Sequence, residues 1–288
     1  MGKDILTLIE ENSRRFSKGQ RLIAKYITEN YDKAAFMTAG RLGQTAGVSE
    51  STVVRFATEL GYDGYPGMRK AMQEMVRSRL TSVQRIAVAK NALDGSNVLK
   101  YVMSSDIDKL QSTMEELDRQ SFDAAVNAIE NANQLYIVGM RSSAALASFM
   151  AFYMNFLISN VRLIHDTTAN EVYEQVMHIG PGDVYVGISF PRYSSSSLKA
   201  MEFAKSRGAL VVALTDNATS PFARIADIQL FAKSDMVSFV DSLVGPMSVI
   251  NALIVAVATR KQETLAETFD YLETLWSRYE VFTTEPFS

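Results

Sequence analysis

At 288 residues the chain is long for one domain and suits two, since single domains usually run to roughly 100 to 200 residues. A composition of 47% hydrophobic and 21% charged residues fits a folded protein with sizeable cores and excludes a disordered or fibrous chain. Zero cysteines exclude disulfides, thiolate metal sites and cysteine nucleophiles, and a net charge of −3, if evenly spread, argues against nucleic acid as a partner.

No membrane span is expected. The densest apolar stretch, Ala144 to Ile158, is interrupted by Ser148 and Asn155 and falls short of the roughly 18 residues a spanning helix needs. The acidic, amphipathic start MGKDILTLIEEN is unlike a signal peptide, and the absence of cysteine leaves a cytoplasmic protein as the expectation. The charge, however, is uneven. Residues 1–80 hold 13 Lys and Arg against 9 Asp and Glu, a balance of +4, and the remainder carries −7. Such asymmetry points to two domains with different partners.

In chain order, Ser17 followed by Gln20 forms a capping box for a helix carrying Leu22, Ile23, Tyr26 and Ile27. Thr38 caps a helix to about Ala46, Gly47 breaks it, and Ser49 caps another to Leu60, closed by Gly61 and Gly64. A last helix is expected from about Pro66 to Leu80. The run 81–97 loses periodicity, ends in the turn-forming Asp94 to Asn97, and is read as a linker. Two helices follow, about 98–118 and 122–132, and then strands alternate with helices. The strands expected are Gln134 to Val138, Val161 to Ile164, Val184 to Ser189, Leu210 to Leu214 and Ile228 to Phe231. Their unbroken apolar character fits a parallel sheet covered on both faces. Two long helices, about 240–260 and 262–281, end the chain. The expected division is therefore an all-α domain at 1–80, a linker at 81–97, and an α/β domain at 98–288 with a five-stranded parallel sheet flanked by helices.

Within the basic segment, Leu42, Ala46, Val48, Val53 and Phe56 are placed to close a small core between two helices joined at Gly47, the geometry of a helix-turn-helix. Ser49, Glu50, Ser51, Thr52 and Arg55 then lie on the side that enters the major groove, Arg55 as the one evident bidentate reader of guanine and Glu50 as an acceptor from cytosine or a partner for a neighbouring arginine. Gln44 and the flanking Lys18, Arg21, Arg69 and Lys70 complete the candidate DNA contacts. The run AGVSESTVVRFATELGYDGYPGMRKAM resembles the N-terminal domain of RpiR-type (MurR/RpiR) bacterial transcription regulators, in which a helical DNA-binding domain precedes a sugar isomerase (SIS) domain. The later strand and helix pattern matches as well, so the resemblance covers nearly the whole chain.

Two strand-to-helix junctions are candidate anion seats, because a helix N-terminus presents backbone N–H groups and positive potential. The first is QLYIVGMRSSAALASF, with Gly139, Arg141, Ser142 and Ser143 and a helix start at Ser142 or Ser143. The second, VYVGISFPRYSSSSLKAMEFAKSRGA, offers Ser189, Arg192, Tyr193, Ser194, Ser195 and Ser196. Its loop is similar to the phosphosugar loop of SIS domains, Ser-x-Ser-Gly-x-Thr: Ser189 matches the first serine and Ser194 the threonine, while Pro191 and Arg192 stand where the family has Ser and Gly. Thr215 and Asp216, at the end of the next strand, are expected to fix the loop.

An isomerase would need an acid or base near the phosphate. Glu171, Glu174 and His178 lie on one predicted helix and His165 with Asp166 ends a strand, yet Glu174 and His178 have the spacing of a common surface pair. With two histidines and no cysteine a metal centre is not expected, and no catalytic residue or cofactor is assigned. The resemblance implies a transcriptional regulator with double-stranded DNA and a phosphorylated sugar or related anion as partners; a phosphosugar isomerase carrying a DNA-binding module is the alternative. A homodimer or dimer of dimers is expected. The helices with Ile250, Leu253, Ile254 and Val257, and with Tyr271, Leu272, Leu275 and Trp276, are either its seam or the cover of the sheet.

Overall fold

A computed structural model describes residues 5–79, 85–86, 97–164, 171–235 and 239–282. The chain divides into two compact units, residues 1–96 with 238–240, and residues 97–237 with 241–288. Most of the run 81–97, together with His165 and Asp166, lies outside the described residues.

The first unit is helical: α1 (Ile5–Asn12), α2 (Lys18–Glu29), α3 (Tyr31–Ala34), α4 (Ala39–Ala46), α5 (Glu50–Glu59) and α6 (Gly64–Arg79). Its helix ends follow from local side-chain chemistry. Ser17 and Gln20 form the reciprocal capping box on α2, and Thr38 and Ser49 each accept a backbone N–H three residues on at the heads of α4 and α5. Gly47 closes α4 in the left-handed conformation with φ 73°. Gly64, expected to end α5, instead opens α6 with φ 66°, so that helix starts two residues before Pro66. The core is Ile23, Ile27, Leu42, Val53, Phe56, Met68, Met72 and Val76, all fully buried, with the ring of Phe16 5.1 Å from that of Phe56. Ala46 and Val48, expected in this core, are half-buried at its margin.

The second unit opens with α7 (Val98–Glu116) and α8 (Arg119–Glu130) and continues as β1 (Leu135–Gly139), α9 (Ser143–Met154), β2 (Val161–Ile164), α10 (Glu171–Val176), β3 (Val184–Ile188), α11 (Ser195–Ser206), β4 (Leu210–Thr215), α12 (Pro221–Ile225) and β5 (Ile228–Phe231). It ends in α13 (Val244–Arg260) and α14 (Gln262–Arg278). The five strands form one parallel sheet in the order β2-β1-β3-β4-β5. Alternation along the strands divides two cores. Leu135, Ile137, Val184, Val186, Val212 and Leu214 face one side, under α8, α9 and α13; Tyr136, Val138, Tyr185, Val211 and Ala213 face the other, under α10, α11 and α12. Among the described residues no helix is long and apolar enough to cross a membrane.

Candidate functional site

In the helical unit, α4 and α5 meet at a close approach. A Cβ on Gly43 would lie 2.9 Å from the carbonyl oxygen of Val48, so only glycine lets the turn fold back onto α4. Val53, Phe56 and Ala57 turn inward from α5, which leaves Ser51, Val54, Arg55 and Thr58 along its exposed face. At its head the Ser49 hydroxyl accepts from the N–H of Thr52 at 3.3 Å and lies 2.9 Å from Ser51 Oγ and 2.8 Å from Thr52 Oγ1. Glu50 sits in the same first turn, where negative charge suits the positive helix end. Its carboxylate lies against Gly40 of α4, 3.1 Å from where a Cβ there would stand.

The start of α2 reaches the same place, since a Cβ on Gly19 would lie 3.4 Å from Thr52 Cγ2. Lys18, Gln44, Ser49, Ser51 and Arg55 are exposed and Thr52 half-buried, which gathers much of the candidate set around the N-terminus of α5. Arg21 is exposed, but its Nε donates to the carbonyl of Phe16 at 3.0 Å. Lys70 is exposed on α6, whereas the neighbouring Arg69 is half-buried with its Nε enclosed, less open to an external partner than the others; its charge partly opposes the rise in proton affinity that burial gives the Tyr65 hydroxyl.

In the sheet unit the strand order reverses between β1 and β3: β2 lies on one side of β1, while β3, β4 and β5 lie on the other. Open α/β sheets hold ligands in the crevice at this switch, beyond the carboxyl ends of the strands. Both candidate loops are there, because Gly139 at the end of β1 pairs with Ile188 at the end of β3. A Cβ on Gly139 would stand 2.4 Å from the Ser143 carbonyl oxygen and 2.9 Å from Ala147 Cβ, so glycine allows α9 to start hard against the strand. Arg141 is left-handed (φ 56°) and Ser142 right-handed (φ −61°, ψ −31°), a succession that turns neighbouring N–H groups toward one concave side and suits an anion. Ser142 makes no side-chain cap and is exposed, while Ser143, the first helical residue, is buried.

The loop after β3 is closed on itself. The N–H of Ser194 donates to Ser189 Oγ at 3.4 Å, and Ser194 Oγ in turn caps α11 through the N–H of Ser197 and lies 2.9 Å from Ser196 Oγ. Ser189 and Ser197 are buried, Ser194 and Ser196 half-buried, and Ser195 exposed, so the serine run splits into loop fasteners and groups that face outward. Arg192, exposed at the loop's tip, is left-handed with φ 71°. Among the described residues, three that are not glycine have positive φ, and two of them are the arginines of these two loops. A side chain holds that backbone only where its surroundings compel it, and such positions gather at functional sites.

Tyr193 is held from the next strand: its hydroxyl donates to Asp216 Oδ1 at 2.7 Å, and Asp216 also accepts from Thr215 Oγ1 at 3.2 Å and from the amide of Asn217 at 2.6 Å. Burial raises the proton affinity of Asp216, the hydroxyls of Tyr193 and Thr215 and its own backbone N–H partly oppose it, and the charge of Asp235 adds to it. Nothing in the local sequence announces the Tyr193 to Asp216 bond or the left-handed arginines, because 23 residues separate the first pair and arginine is not a residue that seeks positive φ. Glu174 lies on α10, but that helix stops at Val176, so His178 falls in the turn beyond it rather than on the same helix.

Residues 3–79 match the helix-turn-helix domain of the rpiR family and residues 128–256 match the SIS domain. HexR, an HTH-type transcriptional regulator of Pseudomonas aeruginosa, is 28% identical over 267 residues, 90% of each chain. Among solved structures, the sugar isomerase domain of an RpiR transcription factor from Sphaerobacter thermophilus is 31% identical with a TM-score of 0.58, covering 62% of this chain and 98% of that one. NanR of Vibrio vulnificus, solved with ManNAc-6P, shares the fold at 22% identity and a TM-score of 0.58, over 94% of this chain and 98% of its own.

Proposed function

Because the chain belongs to the RpiR family of helix-turn-helix transcriptional regulators with a SIS domain, we propose that it is a ligand-controlled DNA-binding protein whose sheet unit takes a phosphorylated sugar or related anion as effector. Residues 1–80 read the operator through Ser49, Ser51, Thr52 and Arg55, with Gln44, Lys18, Arg21 and Lys70 around them and Glu50 accepting from a base edge. Residues 98–288 hold the effector between Arg141 and Ser142 on one loop and Arg192, Ser194, Ser195 and Ser196 on the other, and 81–97 joins the two. The observation that carries this reading is the crevice itself: two loops, each with a left-handed arginine, flank the one point where the sheet order reverses. The solved complex of NanR with ManNAc-6P supports the chemical class of the effector.

The protein acts by binding rather than turnover. The titratable group whose proton affinity burial raises beside the crevice, Asp216, is already occupied by Tyr193, Thr215 and Asn217. The active form is a homodimer or dimer of dimers, which places two recognition helices on a palindromic operator. The C-terminal helices support it. Ile250, Leu253 and Val257 of α13 are buried as cover of the sheet, whereas α14 has no buried residue and shows Phe269 and Tyr271 to solvent.

Fluorescence anisotropy with DNA upstream of its own gene tests the first half: Arg55→Ala weakens binding by roughly 10- to 100-fold, the range expected for losing a base-reading arginine. Calorimetry with a panel of sugar phosphates tests the second: Ser194→Ala lowers affinity for the ligand that binds. Operator binding untouched by Arg55→Ala, no heat from any sugar phosphate, or turnover of one of them would count against the reading.

A further inference from the structure

The segment that opens α2 grips α5 at three points. A Cβ on Gly19 would stand 3.4 Å from Thr52 Cγ2, the ring of Phe16 lies 5.1 Å from that of Phe56, and the Gln20 amide donates from Nε2 to the Glu59 carboxylate. Residues 52, 56 and 59 follow one another in steps of four and three, so the contacts run down one face of α5. Only the last is a polar bond. Gln20 is 9% exposed and both ends of its amide are used, since Oε1 accepts the N–H of Ser17 at 2.8 Å while Nε2 meets Glu59. The capping box of α2 therefore does more than close a helix end: it aims a buried amide at the last turn of α5.

On other counts Glu59 is out of place. It puts a negative charge in the last turn of α5, where the helix end is itself negative, and it does so on the helix that meets a polyanion. Helix stability and attraction to DNA both favour a neutral or basic residue there. What the carboxylate supplies is an acceptor for a buried amide, a bond that is costly to leave unmade. The location of the bond gives it a consequence for reading. Glu59 stands one turn beyond Arg55, so the tie holds the helix directly behind the side chain assigned to guanine. An apolar contact such as that of Phe56 tolerates a small roll of α5 about its axis, whereas a hydrogen bond weakens steeply as its angle opens. Roll displaces the tip of a long arginine more than the backbone that carries it, and bidentate pairing with a base requires the guanidinium to be held in register.

We propose that Gln20 and Glu59 are positioning residues for base reading: their bond sets the roll of α5 against the start of α2, so that Arg55 and Ser51 meet base edges in one register. The inference rests on the DNA-reading assignment of α5 and goes beyond it, since neither residue is among the DNA contacts. Loss of the bond costs discrimination between sequences rather than attraction to duplex as such.

The probe is a duplex selected by the full wild-type chain from a random-sequence library, set against the same duplex with its sequence shuffled, both followed by fluorescence anisotropy. Glu59→Ala lowers the ratio of the two affinities about 10-fold, within the range for one misaligned bidentate contact. Binding to the shuffled duplex holds or rises, because a negative charge has gone. Glu59→Gln keeps an acceptor for the amide and retains the wild-type ratio. Gln20→Leu lowers the ratio as Glu59→Ala does, and the double variant loses no more than either alone, because the same bond is broken in each. Thermal unfolding of every variant separates positioning from stability: a purely structural role lowers the melting temperature and both affinities together and leaves their ratio unchanged. An unchanged ratio in Glu59→Ala, a Glu59→Gln chain as indiscriminate as Glu59→Ala, or additive losses in the double variant would overturn the proposal. A wild-type chain that selects no duplex would overturn the DNA reading itself, and the proposal with it.

Discussion

At the scale of single residues, Gly139 is where the crevice is easiest to break without touching a polar group. An added methyl meets the Ser143 carbonyl at 2.4 Å, and neither strand nor helix is free to move, since all of β1 is buried between neighbours. Gly139→Ala should therefore cost about 1–3 kcal/mol, the usual range for overpacking, with the midpoint of urea unfolding as the measurement. Asp216 makes a prediction of opposite character. Its native carboxyl holds a proton more tightly than an unfolded one, chiefly through burial. Between the ordinary carboxylate value and its raised native value the folded chain binds more protons than the unfolded one. Stability from this group is therefore present in acid and lost as pH rises through the native value. Asp216→Asn should flatten that part of the pH profile of the melting temperature; an unaltered profile would show that Asp216 titrates normally.

Among elements, the pair α4 and α5 shows which local structure a sequence discloses. The caps at Ser17, Thr38 and Ser49 were readable because a hydroxyl and the N–H it accepts lie within three residues, and the left-handed stop at Gly47 depends on one residue. Ser49→Ala should destabilise the helical unit by about 1 kcal/mol in thermal unfolding. If the hydroxyl also meets phosphate, operator affinity falls by more than the stability change explains. The strands were readable because continuous burial leaves continuous apolar text, and two of the five fall at the expected residues, Val161–Ile164 and Ile228–Phe231. The short helices α3 and α12 were not, since four or five residues carry too little periodicity to register. Nor was the orientation of α7, which buries Lys109 and Thr113: an apolar stripe at helical spacing reads the same whether it faces a core or water. Only the long-range bonds of Asp106 to Ser242, and of Thr113 and Glu116 to Lys233, decide it. Likewise the candidate loops were visible as motifs, while their closure by Ser189 and Asp216 depends on residues brought together by the fold.

For the molecule as a whole, the division of charge matters more than its sum. A balance of +4 over residues 1–80 against −7 over the remainder explains how a chain of net −3 can meet DNA, and so modest a basic surplus implies an affinity that falls with salt. The sheet order carries one more consequence, in the time of synthesis. Helices α1 to α6 of the helical unit follow one another directly and the last of them ends at Arg79, so their contacts close over short stretches of chain. In the sheet, β1 must wait for β3 some fifty residues later, and the edge strand β5 is not made until residue 231. Pairings between strands far apart in the chain form slowly, because the closure entropy of the chain between them is paid before the contact is gained. On the ribosome the part that reads DNA is thus ready before the part that governs it exists, and control arrives only when the last strand has joined the sheet.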